Sequence, residues 1–354
     1  MLAWAQDTQK TVGDPGEPVP PAPETAASRT FPLEVAGYVN FRYVNDDAFQ
    51  KHDFYREYSA SLFLSKSVGR WRFHSEFNAD TAPEYDSDGI HLFHRRPSLS
   101  VKLDNAFVNY TARDWFQVQA GFLFIPTYWR THRYQSTTLT VDEPSVDENI
   151  FPTAMKGGAL HGDKYWGDSG VSYIAYGGVD QLSEFQESAR VVKTERSQVI
   201  AGKLTLHLPS RQFFRTFDVS VHRLHRTGGD SRPDDIYGTE LQLSRSRFEV
   251  LGEFVHASMD ISNGVRNYIR QGYYIQPSYR ITPKLSAVVR FDRLNRDSRF
   301  ADQSSLARQL AGFRYRPIPA ISLKIEGNRY EPQSGRVAAY YGVTTSVVWF
   351  FHIP

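Results

Sequence analysis

Apolar and polar side chains alternate along most of this chain, in segments of about ten residues from Leu33 to Phe351. A period of two places successive side chains on opposite faces of an extended strand. The segments fall at residues 33–45, 55–65, 71–79, 105–111, 115–124, 157–163, 169–179, 198–208, 217–226, 236–244, 248–258, 268–280, 285–293, 306–316, 321–330 and 338–351. Short and long connections follow one another. Val68-Gly69-Arg70, Arg113-Asp114 and Thr282-Pro283-Lys284 are tight turns, whereas residues 126–156 form the longest link. The pattern predicts an all-β fold, a transmembrane antiparallel up-and-down β-barrel of about 16 strands with one plain rim and one elaborated rim. An even count brings both termini to the plain rim.

Composition adds the solvent. No stretch of the 354 residues approaches the ~18 apolar residues of a membrane helix. A spanning β-strand needs only about 9–11 residues, and every second one faces lipid. A mean hydropathy of −0.47 with 14% aromatic residues therefore fits a barrel with a wet interior. The 20 Tyr and 6 Trp suit aromatic girdles at two membrane interfaces. A propeller would repeat at roughly 40–50 residues, and no such repeat is seen. The absence of cysteine excludes a disulfide framework and thiolate chemistry. A net charge of +2, with Arg spread along strands rather than in runs, gives no case for a nucleic-acid partner. The expected setting is the bacterial outer membrane, with lipid and lipopolysaccharide as neighbours.

Two terminal stretches stand apart. Ala3-Trp4-Ala5 reads like a signal-peptidase site, and the residues after it are rich in proline. Residues 1–30 are thus expected to be a signal-peptide remnant and flexible linker, and residues 31–354 the barrel. The last segment carries Tyr341, Val343, Thr345, Val347, Trp349 and Phe351 on one face. This is similar to the C-terminal assembly signal of outer-membrane barrels, though His352-Ile353-Pro354 follow.

If apolar residues face lipid, the alternate positions line a lumen. By parity these include Arg42, Arg72, Lys203, Arg280, Arg290, Arg308, Arg314, Arg316 and Lys324, with Glu76, Asp218, Glu240, Glu249, Glu253, Asp292 and Glu326. Charges at mid-membrane depth facing lipid would each cost several kcal/mol, about 2–4 for Arg or Lys. The alternation therefore predicts a hydrated interior rather than a greasy plug. Arg290, Arg314, Arg316 and Lys324 lie on three consecutive segments. They form either a basic wall for solute contact, with Arg280 and Arg72 as further candidates, or a salt-bridge network with Asp292 and Glu326. Mixed lumenal charge can select solutes by sign. The link after the fifth segment has a basic, aromatic half with Tyr128, Trp129, Arg130, His132, Arg133 and Tyr134. Its acidic half holds Asp142, Glu143, Asp147 and Glu148. It either lines a constriction or lies over the rim.

Val118-Gln119-Ala120-Gly121-Phe122-Leu123-Phe124-Ile125-Pro126, Gly157-Gly158-Ala159-Leu160-His161-Gly162-Asp163 and Tyr173-Ile174-Ala175-Tyr176-Gly177-Gly178 carry a family resemblance. Over residues 33–351 the chain resembles bacterial outer-membrane porins, and more narrowly the phosphate-selective porin O/P family. The resemblance implies a trimeric, sixteen-stranded passive channel, often anion-preferring, whose third outer loop folds inward. The lumenal positions here are Arg-rich rather than Lys-rich, so no phosphate-binding residue is carried over.

The expected function is passive diffusion of small anionic or polar solutes, with no cofactor. Two other readings are a plugged barrel, serving as scaffold or exporter component, and a barrel lipid hydrolase. His256-Ala257-Ser258 with Asn263-Gly264, or His74-Ser75-Glu76, offers a superficial catalytic set for the latter. No metal site is expected: His222 and His225 fall on opposite strand faces, and no phosphate-loop or dinucleotide fingerprint occurs.

Overall fold

The computed structural model describes residues 33–46, 53–82, 98–126, 138–146, 150, 154–184, 193–208, 216–227, 233–259, 268–296, 305–332 and 338–353. The expected linker at residues 1–30 and Asn263-Gly264 lie outside them.

Sixteen strands form: β1 (Glu34–Asp46), β2 (Asp53–Val68), β3 (Trp71–Ala82), β4 (Ser98–Arg113), β5 (Phe116–Phe124), β6 (Ala154–Trp166), β7 (Ser169–Glu184) and β8 (Lys193–His207) make one half. The other half is β9 (Thr216–Thr227), β10 (Pro233–Arg245), β11 (Phe248–Met259), β12 (Tyr268–Arg280), β13 (Leu285–Arg296), β14 (Leu306–Ile318), β15 (Ile321–Pro332) and β16 (Tyr340–Ile353). Each strand pairs antiparallel with its sequence neighbours, and β1 closes on β16 with Val39 opposite Trp349. Closure removes every sheet edge, so no backbone row is left unpaired for lipid to face. The turns Gly69-Arg70, Asp114-Trp115, Gly167-Asp168, Ser246-Arg247 and Pro319-Ala320 share the rim that holds both ends of the barrel. The expected alternation of rims is thus present.

Burial is inverted relative to a water-soluble domain. Phe41, Phe73, Ile200, Val221, Phe291, Ile325, Val343 and Val347 are exposed on the outer face. Inward positions bury Glu76, Asn105, Glu240, Glu253, Asp292 and Glu326. Trp71, Trp115, Trp166, Tyr279 and Trp349 ring the outside near the plain rim, and Tyr43, Tyr237, Tyr273 and Tyr341 near the other. Such belts suit the two interfaces of a bilayer.

Strand β4 begins earlier than the alternation predicts. Opposite β3 the register slips, so that Glu76 pairs with Asn105 and Phe77 with Leu103, and Asp104 is left over. This bulge reverses the parity: Val101 and Leu103 face out before it, and Asn105 and Phe107 face in after it. A strict period of two breaks at that point.

The glycine-rich stretches form one fold line. Gly121, Gly157 and Gly178 are register partners across β5, β6 and β7. A Cβ on Gly157 would lie 2.1 Å from the carbonyl oxygen of Gly177, and one on Gly121 2.2 Å from that of Ala106. Gly121 also has a φ of +145°. The backbones close up where the wall bends, as glycine kinks permit. Gly157→Val is expected to abolish refolding into the compact, heat-modifiable form on gel electrophoresis. Normal refolding of that variant would show that the bend tolerates a side chain.

Candidate functional site: the lumen and its inward loop

Of the link between β5 and β6, residues 138–146 lie inside the barrel. In a ring of sixteen strands the wall facing β5 is that of β13, and residues 138–146 bind there. Arg290 on β13 is fully buried and organises the contact. Its Nε donates to Asp292 at 3.0 Å, Nη1 to Thr140 Oγ1 at 3.1 Å and the Asp142 carbonyl at 2.9 Å, and Nη2 to the Glu143 carbonyl at 3.1 Å. A rigid fork of donors suits such a task better than a point charge. Two strands on, Lys324 Nζ donates to Thr138 Oγ1 at 2.8 Å and to the Thr140 carbonyl at 3.2 Å. The Glu326 carboxylate accepts from the backbone amides of Val141 at 2.9 Å and Asp142 at 3.1 Å. Arg308 on β14 binds Asp292 and the Glu143 carbonyl, and Ser145 Oγ donates to Asp292 at 3.0 Å.

Asp142 is the loop's own charge in this cluster. It pairs with Arg42 of β1, accepts from Asn328 Nδ2 at 3.2 Å and Tyr330 Oη at 3.4 Å, and lies 3.9 Å from Arg308. Burial alone would raise its carboxyl, but the guanidiniums of Arg42, Arg308 and Arg290 hold it below the usual carboxylate range. Four cations (Arg42, Arg290, Arg308 and Lys324) thus surround three carboxylates (Asp142, Asp292 and Glu326). Each buried charge has a partner, without which desolvation would be prohibitive.

The other side of the loop is greasy. Ile125, Val146, Ile150 and Met155 pack with the inward side chains Tyr176, Val199, Leu224, Ile236, Val255 and Leu294. The Ile150 amide donates to the Val146 carbonyl at 3.1 Å, and both side chains are buried in this seat. A Cβ on Gly272 would come within 2.5 Å of the Val146 side chain, so a bare backbone position on β12 receives it. The expectation of a hydrated interior rather than a greasy plug is therefore corrected in this sector. One sector of the inner wall is apolar because the loop, not water, covers it.

On the remaining wall, β1 to β4, an inner aromatic ladder runs Tyr38–Phe63–His74–Phe107, with successive ring centroids 6.0, 6.4 and 5.1 Å apart.

The predicted contact residues separate into groups. Arg290 and Lys324 are buried behind the loop, where the salt-bridge alternative had placed Arg290 with Asp292. Arg314 is half-buried on the inner wall opposite Lys324, and Arg72 is half-buried on β3. Arg316 and Arg280 sit at the plain rim, donating to the carbonyls of Pro319 at 2.6 Å and Ser246 at 3.3 Å. Asp142 and Glu143 lie in the inward loop, and Glu143 is half-buried. Arg130, His132 and Arg133 lie outside the described residues, as do Tyr128, Trp129, Tyr134, Asp147 and Glu148. Parity placed Arg42, Arg308 and Glu326 inward, but nothing in the sequence tied them to Asp142.

His256 and Ser258 of the hydrolase reading face outward near the long-loop rim. No hydrogen bond joins them among the described residues. Ser258 stands opposite Asp235, whose carboxylate instead engages His225 Nδ1 at 3.1 Å and Arg223 at 3.4 Å.

No family model matches the chain, and no curated protein matches it in sequence. Solved structures do resemble it. Pseudomonas putida OprB has a TM-score of 0.64 at 8% identity, over 90% of this chain and 94% of its own. The anion-selective porin from Comamonas acidovorans has a TM-score of 0.62 at 10% identity, over 90% and 99%. The outer-membrane channel DcaP of Acinetobacter baumannii has a TM-score of 0.58 at 11% identity, over 90% and 96%. The closed ring of sixteen antiparallel strands, apolar outside and with residues 138–146 of its third outer loop bound to the inner wall, is the fold of the bacterial outer-membrane porins.

Proposed function

We propose that this protein is an integral outer-membrane channel through which small hydrophilic solutes diffuse passively, with weak anion preference. The observation that carries this reading is the inward loop, tied through its backbone and its own Asp142 into a wall of four cations and two carboxylates. A loop held this firmly narrows a passage without filling it by chemistry of its own. Solute contact falls to the half-buried Arg72 and Arg314 and to the loop residues Arg130, His132, Arg133 and Glu143. Arg290 and Lys324 act from behind, by fixing the loop. The trimer rests on the family resemblance, and phosphate selectivity is not part of the proposal.

Single-channel recording of the purified protein in a planar bilayer under a salt gradient tests this. Steady openings, often in three steps, with a reversal potential favouring chloride are expected. Because Arg stays charged throughout, the part of the preference that Arg72, Arg314, Arg130 and Arg133 supply should hold from pH 6 to pH 8. It should weaken between 0.1 M and 1 M salt, where the screening length falls from about 10 Å to about 3 Å. Replacing Arg72 and Arg314 together by Ser should move the reversal potential toward cations. A silent protein would point to a plugged scaffold or exporter component instead.

A further inference from the structure

Away from the loop anchor, the inner wall of β9, β10 and β11 holds a second polar cluster at mid-strand. His222, Glu240 and Glu253 come from three consecutive strands, all buried, with one ligand-type atom from each within 4.8 Å of the others. Glu240 and Glu253 are direct register partners, and His222 stands opposite Gly238, two residues from Glu240. The imidazole reaches over that glycine: a Cβ there would sit 2.1 Å from Nε2. We propose that His222, Glu240 and Glu253 form a binding site for a first-row divalent cation of the zinc type, built into the channel wall.

Three features carry the assignment. One imidazole and two carboxylates are the donor set that borderline divalent cations take, and that harder ions such as magnesium use less. The two oxygens of Glu240 are divided between different neighbours. Lys203 Nζ holds Oε2, and itself donates to the Pro126 carbonyl at 3.1 Å, while Oε1 faces His222 Nδ1 at 3.6 Å. That second separation is beyond a hydrogen bond and close to the ~3.0–3.4 Å between two donors that each lie about 2.1 Å from one metal. Lys203 thus orients the carboxylate from outside the site, as a supporting shell does, without standing where the cation would bind. Finally, the donors project from paired strands of a closed barrel, a stiffer frame than a loop.

The test uses the full-length protein, purified in detergent after treatment with a chelator. Equilibrium dialysis against Zn2+ with elemental analysis should give one ion per chain, and Co2+ should give visible bands of a nitrogen- and oxygen-ligated ion. His222→Gln should lower the Zn2+ affinity by about 100-fold or more and erase the Co2+ bands, and Glu253→Gln should do the same. Both variants must keep the heat-modifiable barrel. If only one folds, its binding decides. No binding by the wild type overturns the proposal, as does binding that survives in the folded variant.

Discussion

Arg290→Met is expected to raise the single-channel conductance several-fold and to replace steady openings by rapid flicker. Arg290 is fully buried, and its guanidinium joins Asp292, Thr140 and the carbonyls of Asp142 and Glu143 in one fork. Methionine fills similar space but donates nothing. The loss leaves Asp292 with Arg308 and Ser145 alone and strips three contacts from the loop. Removing one member of a buried ion pair costs about 3–5 kcal/mol. Most of that cost falls on loop docking, because the strand ladder around Arg290 does not depend on its side chain. A penalty of this size shifts the docking equilibrium constant by more than a hundredfold, enough to leave the loop released for much of the time. Wild-type conductance and noise in the variant would show that the apolar seat under Val146 and Ile150 is enough to hold the loop.

The second large effect concerns the outer face. Ile325→Arg should cost about 2–4 kcal/mol in reversible unfolding from lipid vesicles, because it puts a charge on the lipid side near mid-membrane. Ile325 is half-exposed on β15, between Phe313 and Thr345 on its neighbours. Its inward neighbours Lys324 and Glu326 carry charge at the same depth, so depth alone does not set the penalty. An Ile325→Arg protein as stable as the wild type in vesicles would mean that this face does not meet lipid.

The alternation alone located all sixteen strands, mostly within a few residues, because a half-buried strand has a period that survives any choice of partner. It failed at β4, where Asp104 and Asn105 point the same way and the period resets. It also misread one sector of the interior. Leu224, Ile236, Val255 and Leu294 are apolar at inward positions, and an apolar inner side chain looks like an irregularity in a lipid-facing pattern. Leu224 after His222 was the visible clue, since it puts an apolar residue on the lumenal face. The loop anchor was least legible. Parity shows that Arg290, Arg308 and Glu326 face inward, but Glu326 meets the Val141 amide across a sequence separation of 185 residues. No local pattern encodes which lumenal charge a loop will find.

That separation has a consequence for how the molecule is made. The loop leaves the fifth strand, yet the polar contacts of its residues 138–146 with the wall are with β1, β13, β14 and β15. None of the latter three walls faces it until late in the chain has been threaded, and contacts so distant form only after a large closure entropy has been met. A half-assembled barrel is therefore an open one, and the passage acquires its final bore in the last stage of biogenesis. Damage to the C-terminal strands would then surface first as a leaky channel rather than as a missing one.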